Sequence, residues 1–121
     1  MAGEISFIEF GADDAGESAR FYAALFGWAV EPGPHGAANG YRVDVAGTPA
    51  GIHSGDPGGA PYVFFAVEDL QAACKQVAEL GGTVDPMDVN GDAESQAAHG
   101  LFSLCRDRQG SPFGLHQRPV A

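Results

Sequence analysis
The chain has 121 residues, the length of one ordinary domain, and at 45% hydrophobic it carries enough apolar content for a core, which argues against disorder. Sixteen acidic residues against six basic ones give a net charge of −10, with Lys75 the single lysine. No basic cluster exists to neutralise phosphates, which argues against nucleic acid as a partner; an anionic substrate would meet a repulsive field, and a cationic one would be drawn in.

Acidity of this degree also serves solubility alone. No apolar run approaches the length of a membrane span, and the stretch MAGEISFIEF shows neither the basic n-region nor the long apolar h-region of a signal peptide. Cys74 and Cys105 lie in apolar contexts without metal-like spacing and read as reduced, buried thiols. No base lies near Cys105 in sequence to make it a nucleophile. A cytoplasmic protein with no membrane partner is expected.

Residues 4–10, EISFIEF, alternate as a strand does, with Ser6, Ile8 and Phe10 on one face and Ile5, Phe7 and Glu9 on the other. Asp14 and Glu17 have capping-box spacing, which predicts a helix starting after Asp14. Its apolar positions are Ala19, Tyr22 and Phe26 together with Phe21 and Leu25, and Gly27 can end it in a left-handed cap. Trp28–Val30 begins a strand, 31–40 is a loop, and 41–47 with Pro49–His53 forms a hairpin. Residues 54–60, SGDPGGA, are the most linker-like segment.

The pattern then restarts. PYVFFAV (61–67) is a strand; Asp69 precedes a helix carrying Leu70, Ala73, Cys74, Val77 and Leu80, which Gly81 and Gly82 end. Residues 83–89 give a short strand, 90–100 a polar loop, 101–107 a strand and 111–117 the last strand. A shift of 55 carries Phe7 onto Tyr62, Asp14 onto Asp69, Arg20 onto Lys75, Leu25 onto Leu80 and Gly27 onto Gly82. The closing stretches PAGIH (49–53) and PFGLH (112–116) match at an offset of 63. Self-similarity of this kind indicates a duplication, with strand–helix–strand–strand–strand as the unit, and two helices among many strands predict an α+β fold.

The segments FIEFGADDAGESARFYAALFGW (7–28), DLQAACKQVAELGGTV (69–84) and RDRQGSPFGLHQ (106–117) resemble the vicinal oxygen chelate superfamily: glyoxalases, extradiol dioxygenases and bleomycin-resistance proteins. The likeness covers nearly the whole chain and is greatest to small single-domain glyoxalase-like proteins. It implies one domain over 1–121 made of two βαβββ modules, about 4–54 and 61–117, whose curved mixed sheets enclose a cavity, commonly in a homodimer. In metal-using members it implies four ligand positions, one on the first and one on the last strand of each module. Here those positions fall on Phe7, Tyr62, Gly51 and Gly114. Phenylalanine and glycine have no side-chain donor and tyrosine is an uncommon ligand, so no metal and no cofactor is expected. A mechanism that needs a cation to hold two substrate oxygens has no support in this set.

Residues two apart on a strand share a face, so Glu9, His53 and His116 are expected to face the same cavity as the vacant positions. Glu9 is either a cavity carboxylate that receives a cation or a proton, or a solvated carboxylate at a sheet edge. His53 and His116 are an alternative metal pair, pocket bases or donors, or structural residues near strand ends. Phe7, Tyr62, Phe64, Phe102, Tyr41 and Trp28 are candidate walls for a small planar or amphipathic ligand, and equally what a sheet core contains. His35 and His99 fall in loops expected to be exposed.

The ligand cavity is therefore expected to comprise Phe7, Glu9, Gly51, His53, Tyr62, Phe102, Gly114 and His116. Two functions follow from different classes. One is a metal-free binding protein for a small cationic or aromatic molecule, of the drug-sequestering type. The other is an enzyme of the same superfamily, a lyase, isomerase or dioxygenase-like protein, either metal-independent with Glu9, His53 and His116 as candidate catalytic residues or with an atypical metal site. A protein-interaction module with a vestigial cavity is the third possibility.

Overall fold
In a computed structural model, residues 2–56 and 60–120 are described. Residues 57–59 of the expected linker lie outside the described residues. The fold is α+β, with eight strands and three helices among the described residues. It divides into two compact units, Phe7–Tyr62 and Met1–Ser6 with Val63–Ala121.

The unit Phe7–Tyr62 takes most of β1 (Ile5–Gly11), then α1 (Ala15–Phe26), β2 (Ala29–Pro32), β3 (Gly40–Val45) and β4 (Thr48–His53). Its strands lie in the order β2-β3-β4-β1, antiparallel except for the parallel β4–β1 pair. Asp14 starts α1 as expected: its backbone is extended and its carboxylate accepts the amides of Gly16 at 3.0 Å and Glu17 at 3.3 Å. Gly27, at φ 71, closes the helix in the left-handed region that glycine enters without strain.

The helix meets the sheet through small residues. Ala12, Ala15 and Ala19 are buried with Val43, Ala50 and Ile52, and Ile8, Phe10, Tyr22, Trp28 and Tyr41 pack around them. Burying a side chain such as Ile52 contributes about 1.5–3 kcal/mol. The alanine stripe at 12, 15 and 19 turns Phe21, Leu25 and Phe26 outward, and these three are more than half exposed. The expected apolar face over Phe21, Leu25 and Phe26 is corrected accordingly: the chain places its smallest residues, not its largest, against the strands.

The second unit holds β5 (Tyr62–Ala66, from Val63), α2 (Leu70–Glu79), β6 (Thr83–Val84), α3 (Ala93–His99), β7 (Leu101–Arg106) and β8 (Pro112–Gln117). Its strand order is β5-β8-β7-β6, with β5 and β8 parallel. Asp69 caps α2 by accepting the Ala72 amide at 3.1 Å, and Leu70, Cys105 and Leu115 form the core beneath. Leu80, expected on the apolar face, is the C-cap residue and is exposed.

Two further expectations change. The strand over 83–89 shortens to Thr83–Val84, because Pro86 has no amide to offer a ladder. The expected loop 90–100 contains α3, capped by Asp92, whose carboxylate accepts the Ser95 amide at 2.9 Å. No helix among the described residues is long and apolar enough to cross a membrane.

Candidate functional site
The duplicated positions have one and the same pairing register. On the β1–β4 pair, Glu9 lies opposite Gly51, Phe10 opposite Ile52 and Gly11 opposite His53. On the β5–β8 pair, Phe64 lies opposite Gly114, Phe65 opposite Leu115 and Ala66 opposite His116. First-strand residues differ by 55 and last-strand residues by 63, the two offsets of the sequence repeat.

In the first unit this register brings Glu9 onto His53. Nδ1 of His53 lies 2.8 Å from Glu9 Oε1, and its Nε2 lies 3.0 Å from Asp56 Oδ2. A carboxylate only accepts, and a neutral imidazole has one N–H, so a ring between two carboxylates is satisfied as the imidazolium, which donates both. The hydrogen bond to Glu9 is the largest cause of a pKa raised to about 9; desolvation opposes it, and the charge of Glu9 and the bond and charge of Asp56 add to it.

Glycine makes the cluster fit. A Cβ on Gly51 would stand 2.8 Å from Glu9 Oε2 and 3.3 Å from Phe7 Cζ, and one on Gly11 would stand 2.6 Å from Asp56 Oδ2. The carboxylates of Glu9 and Asp56 thus occupy space that any larger residue at 51 or 11 would take. Phe7 is buried beside this cluster. Tyr41 and Trp28, candidate walls from the sequence, belong instead to the helix-side core, where Trp28 stacks on Tyr22 at 5.3 Å between ring centroids.

In the second unit the equivalent place is filled. A Cβ on Gly114 would stand 2.1 Å from Phe64 Cδ2, so the Phe64 ring lies where Glu9 lies in the first unit. Phe64 packs edge-on against Phe102 at 5.0 Å, and Phe102 stacks flat on His116 at 4.4 Å. His116 is 3% exposed. Its Nε2–H donates to the His99 carbonyl at 2.6 Å, which leaves Nδ1 to accept the Ser6 hydroxyl at 2.9 Å. Burial is the main reason its pKa is lowered, so the ring is neutral. Tyr62, at the head of β5, is half-buried.

Three participants escaped the sequence. Asp56 sat in the expected linker, although its spacing of three from His53 was visible. Ser6, which alternation puts on the face of Ile8 and Phe10, is buried and bonds His116. His99, expected in an exposed loop, is half-buried at the end of α3, while His35 is exposed.

A glyoxalase-like domain model matches residues 7–116. The chain belongs to the glyoxalase-like domain family. Taken with that match, solved structures of the same fold agree with the resemblance to the vicinal oxygen chelate superfamily. A hypothetical protein from Bacillus halodurans C-125 superposes with a TM-score of 0.68 at 10% identity, covering 98% of this chain and 96% of that one. A Streptomyces coelicolor methylmalonyl-CoA epimerase does so at 0.62 and 14%, covering 99% and 100%. The 2,2',3-trihydroxybiphenyl 1,2-dioxygenase of Sphingomonas wittichii strain RW1 gives 0.56 at 23%, covering 99% of this chain but 42% of the dioxygenase. At these identities the likeness is one of fold. No curated protein matches the chain.

The superfamily's metal positions, carried onto this glyoxalase-like chain, do not fit a metal. Phe7, Gly51 and Gly114 offer no donor side chain, and the space above Gly114 is taken by an aromatic ring. His53 stands between Glu9 and Asp56 instead of converging with them on one point. Among the described residues no group of three His, Cys, Asp or Glu could hold a metal ion.

Proposed function
We propose that this glyoxalase-like protein binds a small cationic or aromatic molecule without a metal, and that Glu9 in the first unit is its polar anchor. The observation that carries this is the exchange at the superfamily's last-strand position. Gly51 has no side chain, and the carboxylate of Glu9 occupies the space above it, held by the His53 imidazolium. A carboxylate fixed in this way is a preformed acceptor for an N–H cation, and the net charge of −10 favours the same class of ligand.

A homodimer in a cytoplasmic setting belongs to the same proposal. Phe21, Leu25 and Phe26 give α1 an exposed apolar surface of the kind a second copy covers, and two cysteines that are not disulfide-bonded suit a reducing compartment.

The second reading is a metal-independent lyase or isomerase. It is favoured by the hydrogen-bonded line from the exposed Asp56 through His53 to Glu9, which links a candidate base to solvent. In that reading Glu9, not His53, takes the proton, because both ring nitrogens of His53 are engaged.

Thermal-shift measurements on protein purified without chelators test the main reading, with a panel of aromatic amines and amidines set beside divalent Mn, Ni, Zn and Fe. Stabilisation by organic cations, lost in Glu9→Gln, is expected. Stoichiometric retention of a divalent metal, unaffected by Glu9→Gln, would overturn it.

A further inference from the structure
We propose that the His53 imidazolium is an internal occupant of a subsite for a planar nitrogen cation, a guanidinium or amidinium, and that such a ligand binds by displacing it. The inference rests on the ligand-binding reading and names the ligand's cationic group.

Three observations carry it. First, the two carboxylates are seated by the backbone and not by the histidine alone. Glu9 sits over Gly51 and Asp56 sits over Gly11, two separate clearances that a Cβ would close to 2.8 and 2.6 Å. If His53 leaves, two carboxylates remain facing the vacated place in an acidic chain, and a cation that replaces it restores the pairing. Second, His53 is free to leave. It is the last residue of β4, its side chain is 42% exposed, and its partners Glu9 and Asp56 are 28% and 62% exposed. Third, the shape of the vacated place is that of the imidazolium. Two N–H groups in one plane point apart at two carboxylates, a pattern that a guanidinium or amidinium reproduces and a point-charge ammonium does not.

The other unit shows what the same register looks like when it is closed. There the Phe64 ring takes the place of Glu9, and His116, 3% exposed, is bonded at both nitrogens inside the fold. Among the described residues, the first unit alone combines a part-exposed histidine with paired carboxylates at this register.

Isothermal titration calorimetry with benzamidine and its neutral isostere benzamide tests the displacement. Wild type is compared with His53→Ala, and with His53→Gln, which keeps a hydrogen-bonding side chain without the charge and serves if the alanine variant does not fold. Removing a competing internal occupant raises apparent affinity by the inverse of the vacant fraction, so benzamidine should bind the uncharged variants about tenfold more tightly than wild type. Benzamide should gain nothing, and adding Glu9→Gln to the variant should abolish the gain. In wild type, saturating benzamidine should move the His53 side-chain nitrogen resonances to those of a solvent-exposed ring. Equal or weaker benzamidine binding by both variants would overturn the displacement while leaving wild-type ligand binding standing. An equal gain for benzamide would also overturn it, because the vacancy would then be a plain cavity. Failure of the ligand-binding reading shows separately, as wild type that responds to no organic cation in the thermal-shift panel.

Discussion

At the scale of single residues, the two histidines of the repeat have opposite protonation behaviour from equivalent strand positions. His53 faces two carboxylates and is raised from 6.5 to about 9. His116 is buried against Ser6, the His99 carbonyl and the Phe102 ring, and is lowered. The folded state therefore holds an extra proton on His53 between pH 6.5 and about 9. The stability this contributes is complete below 6.5 and is lost as pH rises through 9. For His116 the sign reverses: its contribution is present above 6.5 and is lost as pH falls below it, where the unfolded ring gains a proton the folded ring resists. Urea denaturation of wild type should show stability falling from pH 6.5 to 9, with that slope removed in His53→Gln. Ring-proton NMR should find His53 still charged at neutral pH and His116 neutral. A His53 that titrates near 6.5 would contradict the two-carboxylate geometry. Alternation marked Glu9 and His53 as candidates for one face, but the hydrogen bond between them came from the parallel β1–β4 pairing, which no local pattern shows. Asp56 was not marked, because a Gly- and Pro-rich neighbourhood hides a side chain fixed by tertiary packing.

At the scale of elements, both long helices and the strands other than β6 were legible, since alternation, Asp caps and glycine stops are local signals. The orientation of α1 was not. Periodicity says which residues share a stripe, but the closest approach to the sheet is set by what fits, and alanines at 12, 15 and 19 fit closer than Phe21 and Leu25. The short α3 has no buried residue and so no apolar stripe to betray it; only its cap, Asp92, marks it. The paired glycines separate function from packing. Gly114→Ala drives a methyl into the Phe64 ring, 2.1 Å away within a buried cluster, and should cost about 1–3 kcal/mol in urea unfolding. Gly51→Ala meets Glu9 Oε2, 2.8 Å away at the end of a flexible side chain, so Glu9 should swing aside at a smaller stability cost. The loss should appear instead in His53, whose pKa should fall back toward 6.5 as its main partner leaves. Equal destabilisation by both variants, with His53 unmoved, would show that Glu9 is not seated by Gly51.

At the scale of the whole molecule, the duplication read from the sequence reappears as an identical register in both units, and the copies differ in the side chains they place there. Glu9 in one copy is Phe64 in the other, a carboxylate against an aromatic ring. The chain has six basic residues against sixteen acidic ones. Of its six basic residues, Arg42 is paired with Glu31 and Arg118 with Glu4. A cationic ligand would therefore be drawn by the summed field of the chain as well as by Glu9, and these two contributions respond differently to salt. The distant charges are screened beyond a Debye length, about 10 Å at 0.1 M and 3 Å at 1 M, whereas the partly buried Glu9 contact is screened much less. Benzamidine affinity should thus fall roughly three- to tenfold between about 0.02 M and 0.5 M salt and then level off, while benzamide binding stays flat. A salt-independent benzamidine affinity would place recognition in local apolar contacts. A decline that never levels would place it in the diffuse field, with no fixed carboxylate beneath it.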